Sequence, residues 1–465
     1  TTEIYTLSLH DALPIWTRGT QILPSLVARR LPDNSTWYEA YGRNGYGLVT
    51  TVTNTYGTGG TTRKRTLVYA SNGIDLLEER GNSNELLRQY TYNSRHQVLT
   101  AKEYANAPTY YTTTFTYDGY GRPYTRATPG GLTTTFSYGG NYYLSGTSDS
   151  PVSRTESFTW LNGRVRTHTD PRGLTVTKTW DNLDRLTLES FPGSTTIEYS
   201  YSLQPGMGFN TGGSAIPILD LCGVKDRLGK WTHYGYDRGR KLTQVKDARN
   251  NFTIYTYCGC GGPESVTDAL TNTTYYYYDN AGRRTGILYP DLTSQTFAYN
   301  RLGQLTAITN ALGVRTFGYN NQGLLTSVTN AFGVEQRTTY DIRDHPTTVI
   351  DANNVTFTQT FDWLGRLLTR TAPDSGVEKY LYTARGLVGY TNQLTNVWRY
   401  EYDAATRKIT ETNANTEIIR YTYNAASDLL TLRDGKNQVT TWNYDQYGRV
   451  TNKIDQASAA ILRYQ

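Results

Sequence analysis

Cysteine, methionine and histidine are all scarce in this chain of 465 residues. The three cysteines, Cys222, Cys258 and Cys260, are too few for a disulfide framework in so long a chain, and they do not fix a redox compartment. Methionine occurs once and apolar residues make up 37%, low against the roughly 45–50% of typical globular chains, so any core must be thin. No run of about 18 apolar residues is present, so no helical membrane span is expected. The formal charge of +6 is scattered among acidic residues without a basic stripe, so nucleic acid is not an expected partner. The five histidines, His10, His96, His168, His233 and His345, sit in unrelated places, and no G-x-S-x-G elbow occurs. Neither a catalytic residue nor a metal or cofactor is expected.

What the chain has in quantity is tyrosine, 41 residues against 11 phenylalanines, together with 43 glycines and a dense scatter of threonine. Tyr and Thr suit strands, and Gly with Asn and Asp suits turns, so the composition predicts an all-β protein. An internal repeat organises it. An aromatic residue recurs at Tyr236, Tyr257, Tyr278, Tyr299, Tyr319, Tyr340, Phe361, Tyr382, Tyr402, Tyr423 and Tyr444, in steps of 20 or 21 residues. The rhythm continues more loosely upstream at Tyr92, Tyr117, Tyr138, Trp160, Trp180 and Tyr201, and an insertion, "LQPGMGFNTGGSAIPILDL", interrupts it before Tyr236.

The residues after each aromatic also repeat: "YDGYGR" from Tyr117, "YDRGR" from Tyr236, "YDNAGR" from Tyr278, "YNRLGQ" from Tyr299, "YNNQGL" from Tyr319, "FDWLGR" from Phe361 and "YDQYGR" from Tyr444. Asp or Asn at the start of a turn can accept a backbone N–H two residues on, and a glycine three residues on can take the positive φ that closes a type I turn. The residues expected at these hairpin tips are Asp118, Gly121 and Arg122; Asp237, Gly239 and Arg240; Asp279, Gly282 and Arg283; Asn300 and Gly303; Asn320 and Gly323; Asp362, Gly365 and Arg366; and Asp445, Gly448 and Arg449. A second tip falls midway in each unit, as in "DPRG" from Asp170, "NALG" from Asn310, "NAFG" from Asn330 and "DANN" from Asp351. Each unit therefore reads as one antiparallel hairpin whose acidic and glycine residues are punctuation, not chemistry. Phe297 and Tyr299 alternate onto one face, whereas Leu305 and Ile308 on the return strand are three apart; a bulge or burial on both faces would reconcile them.

Around forty such strands cannot lie flat, because strands twist and open sheets curl. A strip about 190 Å long at ~4.8 Å per strand is expected to wrap about once around a sphere some 60 Å across. The "YDxxGR" units with their second tips resemble the Rhs or YD-repeat family, over roughly Tyr92 to Tyr444 and more weakly back to Tyr46 and Tyr69. The resemblance implies a tandem hairpin strip that spirals into part of a hollow β-shell. In bacterial members it implies a secreted or cell-surface shell that holds a C-terminal toxin until delivery; in animal relatives, a similar shell that serves cell adhesion. It also implies a core-closing region with an aspartyl self-cleavage site and a variable domain. Neither is found here, and "DPRGL" from Asp170 fits a hairpin tip better, so the chain is expected to be an incomplete shell.

Five expectations remain. Residues 1–15, "TTEIYTLSLHDALPI", resemble a translated sequencing adaptor and are set apart from degenerate repeats at 16–90, repeats at 91–203, an insertion at 204–220 and regular repeats at 221–465. "YCGCGG" from Tyr257 puts Cys258 in place of the turn Asp, and a small-residue turn, a Cys258–Cys260 disulfide or a metal pair stay open. "YGTGGTTRKR" at 56–65 reads as a flexible loop, since it lacks the phosphate-loop pattern. Sequons at Asn34, Asn251, Asn272 and Asn354 are those a chain rich in Asn and Thr carries by chance. Tyrosine pairs such as Tyr110–Tyr111 and Tyr142–Tyr143 leave open a carbohydrate-binding or adhesion module, with cell-surface glycans as partners.

Overall fold

The computed structural model describes residues 16–18, 21–31, 36–55, 62–140, 142–457 and 459–463. The adaptor-like residues 1–15, most of the glycine-rich stretch from Tyr56, and Asn34 lie outside these. The described residues contain strands and turns and no helix. One antiparallel sheet runs from strand Leu26–Arg30 to strand Ala460–Arg463, each strand pairing with its neighbours in sequence. Among the described residues strand Leu26–Arg30 pairs only with strand Thr36–Arg43, and strand Ala460–Arg463 only with strand Val450–Ile454, so no pairing joins the first strand to the last. Two small hairpins stand aside from it, Trp16–Arg18 with Gln21–Leu23, and Ser202–Leu203 with Ile216–Pro217.

Inside each hairpin a bulge falls at the repeating aromatic. Phe297 pairs with Ile308 and Ala298 with Ala307, but Tyr299 pairs with Leu305, which leaves Thr306 as the extra residue. The register shift recurs at Tyr117, Tyr138, Trp160, Tyr236, Tyr278, Tyr340, Phe361 and Tyr444. The bulge restores Leu305 and Ile308 to the aromatic face, which settles the three-residue spacing. The opposite face is threonine-rich. Thr116 meets Thr125 at 2.6 Å, Thr360 meets Thr369 at 2.7 Å and Thr422 meets Thr431 at 2.7 Å, hydroxyl to hydroxyl across the strands.

The aromatic is tyrosine for a reason that periodicity does not show. Its hydroxyl donates to the carbonyl of the first residue of the return strand in the preceding hairpin, beside the bulge. Tyr257 bonds Leu242 O at 2.7 Å, Tyr319 bonds Leu305 O at 2.8 Å, and Tyr444 bonds Leu429 O at 2.8 Å. Trp160 and Trp180 make the same bond through Nε1, to Leu144 O and Val165 O. Units with such a bond are thus stapled to the one before by a half-buried ring with a polar tip; Phe361 and Tyr278 make no such bond.

The strip coils on itself more tightly than expected. Hairpin tips about 255 residues apart meet edge to edge: Arg366 with Tyr111, Arg385 with Gly130, and Tyr447 with Pro192. From strand Thr195–Ser200 to strand Val439–Tyr444, which lie between the last two tips, the sheet has 23 strands. That number is odd, so opposite edges of successive turns meet. At ~4.8 Å per strand the turn is about 110 Å around and so about 35 Å across, rather than the 60 Å of a single loose wrap. Face-to-face packed sheets need only about 10 Å, so the coil encloses a lumen roughly 25 Å wide once side chains line both walls.

Among the described residues, the one cluster of buried apolar side chains forms at the insertion and the residues that flank it. Leu203, Met207 and Cys222 are buried together, with Phe209, Ile216, Ile218 and Tyr236 packed on them. Phe209 N–H bonds Tyr236 O at 2.8 Å, and buried Asn210 donates to Leu203 O at 2.8 Å. The strip runs on across this insertion, strand Thr195–Ser200 pairing directly with Gly223–Lys225.

Candidate functional site

At the tip that begins with Asp279, one carboxylate oxygen accepts the N–H groups of Ala281 and Arg283, at 2.9 and 3.0 Å. The other oxygen accepts Arg283 Nε at 2.7 Å. The Arg283 guanidinium first, with the backbone N–H groups, holds the Asp279 carboxyl below its ordinary value. Asp118 with Arg122, Asp362 with Arg366 and Asp445 with Arg449 repeat the arrangement. Gly121, Gly282, Gly303, Gly323, Gly365 and Gly448 all have φ between +74° and +85°. Asn300 and Asn320 accept the same pair of N–H groups through their side-chain oxygens.

The arginine reaches onward. The Arg283 guanidinium lies 5.0 Å over the Tyr299 ring while Nη1 donates to Asn300 O at 3.1 Å. Arg366 treats Tyr382 and Thr383 likewise, and Arg407 treats Tyr423 and Asn424. One side chain thus links its own turn, the next ring and the next turn, so the "YDxxGR" unit is an edge ladder.

One tip departs from the expectation. In "YDRGR" the positive φ falls on Arg240, at 65°, and not on Gly239. The turn requires that conformation three residues after Asp237, and Gly239 is one residue too early. Lys241 takes the ladder position, its N–H bonding Asp237 and its ammonium lying 5.0 Å over Tyr257. Arg240 instead pairs with Asp220 of the insertion at 2.7 Å. Elsewhere Thr271, Leu292, Thr395 and Thr406 hold positive φ without being glycine, so several tips lack the residue that would announce them.

At "YCGCGG" two of the open readings coexist. Cys258 and Cys260 are disulfide-bonded with Cα atoms 5.2 Å apart, and Gly261 N–H still bonds Cys258 O to close the turn. Cys222 does not join them as a ligand: it is fully buried in the insertion core, and burial pushes its thiol up to about 11. Among the described residues no group of three or more His, Cys, Asp or Glu is placed to hold a metal. The four described histidines have separate partners. His96 contacts Asp75 at 2.9 Å, His168 contacts Glu156 at 3.1 Å and stacks on Phe158, and His345 contacts Asp341 at 3.1 Å. His233 stacks on Trp231, and burial lowers its pKa. Of the tyrosine pairs, Tyr111 is engaged between turns by Arg366 and Tyr143 stacks on Trp160, whereas Tyr142 stands free enough to meet Tyr120 edge-on at 5.5 Å.

The seam between turns is polar and charged. Arg172 makes a two-nitrogen pair with Asp428 at 2.7 and 2.9 Å, Arg63 pairs with Asp344 at 2.9 Å, and Arg343 pairs with Glu85. Arg385 Nε donates to Gly130 O at 2.6 Å, Tyr447 Oη to Pro192 O at 2.7 Å and Trp363 N–H to Ala105 O at 2.6 Å. A cavity of about 320 Å³ lies in the seam among Glu39, Asn54, Arg63, Glu85, Arg343 and Trp363.

The family model described as "RHS Repeat" matches residues 160–201, 299–335 and 319–356. Those segments carry RHS repeats. In fold, the RHS strip is similar to the crystal structure of TcdB2-TccC3-TEV, with a TM-score of 0.54 and 15% identity over 95% of this chain. It is similar in the same way to the crystal structure of TcdB2-TccC3, with a TM-score of 0.53 and 15% identity. The strip spans 29% of the length of each of those chains. No curated protein matches the sequence.

Proposed function

We propose that this RHS strip is a non-catalytic length of shell wall that surrounds a C-terminal toxin cargo, keeps it from its targets and helps to deliver it from a secreted or cell-surface bacterial complex. The observation that carries the proposal is the coil: hairpin edges of successive turns meet across a polar seam and close a wall around a lumen. The width of that lumen bears on what it holds. A folded 100-residue domain has a radius of gyration of about 13 Å, hence a diameter above 30 Å, wider than the roughly 25 Å available. Cargo at this level of the wall is therefore held unfolded. The strip supplies steric exclusion, and its carboxylates serve as turn formers.

Limited proteolysis of the strip joined to a C-terminal cargo tests this. Cargo that resists digestion until the seam is opened by low pH supports enclosure. Cargo digested freely while the strip stays intact contradicts it.

A second reading rests on one place. Tyr120 and Tyr142 are exposed and edge-on, with Arg122 beneath them, a platform on which a sugar ring could stack. Glycan-array binding lost in Tyr120→Ala and Tyr142→Ala would favour an adhesion module over a container.

A further inference from the structure

We infer that the Cys258–Cys260 disulfide is a thiol-exchange site, a link that a small dithiol opens and whose opening loosens this one hairpin tip. The inference goes beyond the container reading and does not need it.

The units on either side show what an ordinary tip has. In one, Asp237 accepts the Lys241 N–H, the Lys241 ammonium lies 5.0 Å over Tyr257, and the Tyr257 hydroxyl bonds Leu242 O at 2.7 Å. In the other, Asp279 accepts the Ala281 N–H, the Arg283 guanidinium lies 5.0 Å over Tyr299, and the Tyr299 hydroxyl bonds Arg284 O at 2.8 Å. The unit between them lacks all three ties. Cys258 stands in place of the turn acid and has no side-chain oxygen to accept a turn N–H. Gly262 stands where "YDNAGR" has arginine, so no cation reaches the next ring from this tip. That ring, Tyr278, has a hydroxyl buried without a partner. The acceptor due to it is the carbonyl of Pro263, first residue of the return strand, and a proline there is no bar, since Tyr138 bonds Pro123 O at 2.9 Å. Gly262 instead lies so close that a Cβ on it would come within 2.8 Å of Tyr278 Cζ.

One covalent bond therefore stands where each neighbouring unit has an acceptor, a cation and a staple. It closes three residues of a single tip, so it holds this turn and adds little to the rest of the strip. Opening it leaves the two backbone bonds, Cys258 N–H to Gly262 O and Gly261 N–H to Cys258 O, both at 3.0 Å. In the exchange, one thiolate of the dithiol attacks a sulfur of the pair, forms a mixed disulfide and releases the other cysteine as a thiolate. The second thiol of the dithiol then displaces the remaining cysteine. Two electrons pass to the chain, the dithiol leaves as a disulfide, and its two protons end on Cys258 and Cys260. The attacking thiol comes from outside the chain, because Cys222 is fully buried in the insertion core and burial pushes its thiol up to about 11.

Hydrogen exchange of the full chain, with and without dithiothreitol, tests this. The untreated chain is expected to carry the disulfide, seen as no alkylation at Cys258 or Cys260. Dithiothreitol is expected to speed exchange at the Cys258–Gly262 tip roughly tenfold, the worth of one cross-link over three residues, and to leave the Asp279 tip unchanged. Cys258→Asp with Cys260→Ala restores the acceptor, so exchange at the tip is expected to stay slow with or without the dithiol. Cys258→Ser with Cys260→Ser is expected to exchange fast in both conditions. The parent chain alone decides the matter should a variant misfold. Alkylation of both cysteines before any reductant, a disulfide that dithiothreitol leaves intact, or reduction without faster exchange would overturn the proposal, as would a folded serine variant as slow as the untreated parent. No cargo is present in this measurement, so its failure is distinct from a failure of the container reading.

Discussion

A single hydroxyl explains why tyrosine outnumbers phenylalanine nearly fourfold in this strip. The Tyr257 hydroxyl bonds Leu242 O, and Tyr257→Phe is expected to lower stability by about 1 kcal/mol, the usual worth of such a bond, read as a lower urea midpoint. Tyr278 supplies the contrast. Its hydroxyl is buried without a partner, in the unit after the Cys258–Cys260 turn, and Gly262 lies hard against its ring. Tyr278→Phe is therefore expected to leave stability unchanged or raise it slightly. Equal losses in the two variants would contradict the staple. The tip aspartates make the matching point in acid. Asp279 has a folded pKa below its ordinary 3.8, so its contribution is complete above that value and is lost as pH falls through the lowered one. Asp279→Asn is expected to flatten this acid loss locally, seen as faster amide exchange at Arg283 at neutral pH and a smaller change below pH 4.

At the scale of the hairpin, what the turn demands is a backbone conformation, and the sequence shows it only where glycine fills it. Thr395 holds φ at 65°, a conformation costly for a β-branched residue. Thr395→Gly is expected to raise the melting temperature, with a net gain of up to about 1 kcal/mol after the entropy that glycine loses on folding. A lower melting temperature would show that the threonine side chain makes a contact worth more than the strain. The same physics sets how much could be read beforehand. The hairpin period was legible because Asp or Asn with Gly three residues on is a local signal, as at Asp118–Gly121 and Asn300–Gly303. It misled at "YDRGR", where Gly239 stands one residue from the required position and Arg240 takes the positive φ. The bulge at each aromatic was hidden for a different reason: an extra residue such as Thr306 shows only once Tyr299 is seen opposite Leu305. The tyrosine-to-carbonyl staple was hidden too, because its acceptor lies some 15 residues away on another hairpin. The excess of Tyr over Phe was its one trace in the sequence.

At the scale of the whole molecule, coil radius depends on contacts about 255 residues apart, and no local pattern encodes those. That is why a loose single wrap was expected and a tighter coil is found. Within the seam, the Arg172 side chain first, then Asn424, holds the Asp428 carboxyl below its ordinary 3.8. The pair's contribution is full above that value and is lost as pH falls through the lowered one. Acid is therefore expected to open the seam before it melts the hairpins, with amide protection lost first at the facing tips. Arg172→Ala is expected to produce the same loosening at neutral pH.

The coil itself is tested most directly by pulsed electron resonance between spin labels at Thr109 and Leu364, exposed residues beside the Trp363–Ala105 contact between turns. The account predicts a short distance, about 20 Å or less across two labels, because successive turns meet there. A strip of the same hairpins that did not coil would separate the two sites by 23 strands, about 110 Å, and a distance beyond the range of the method would contradict the account.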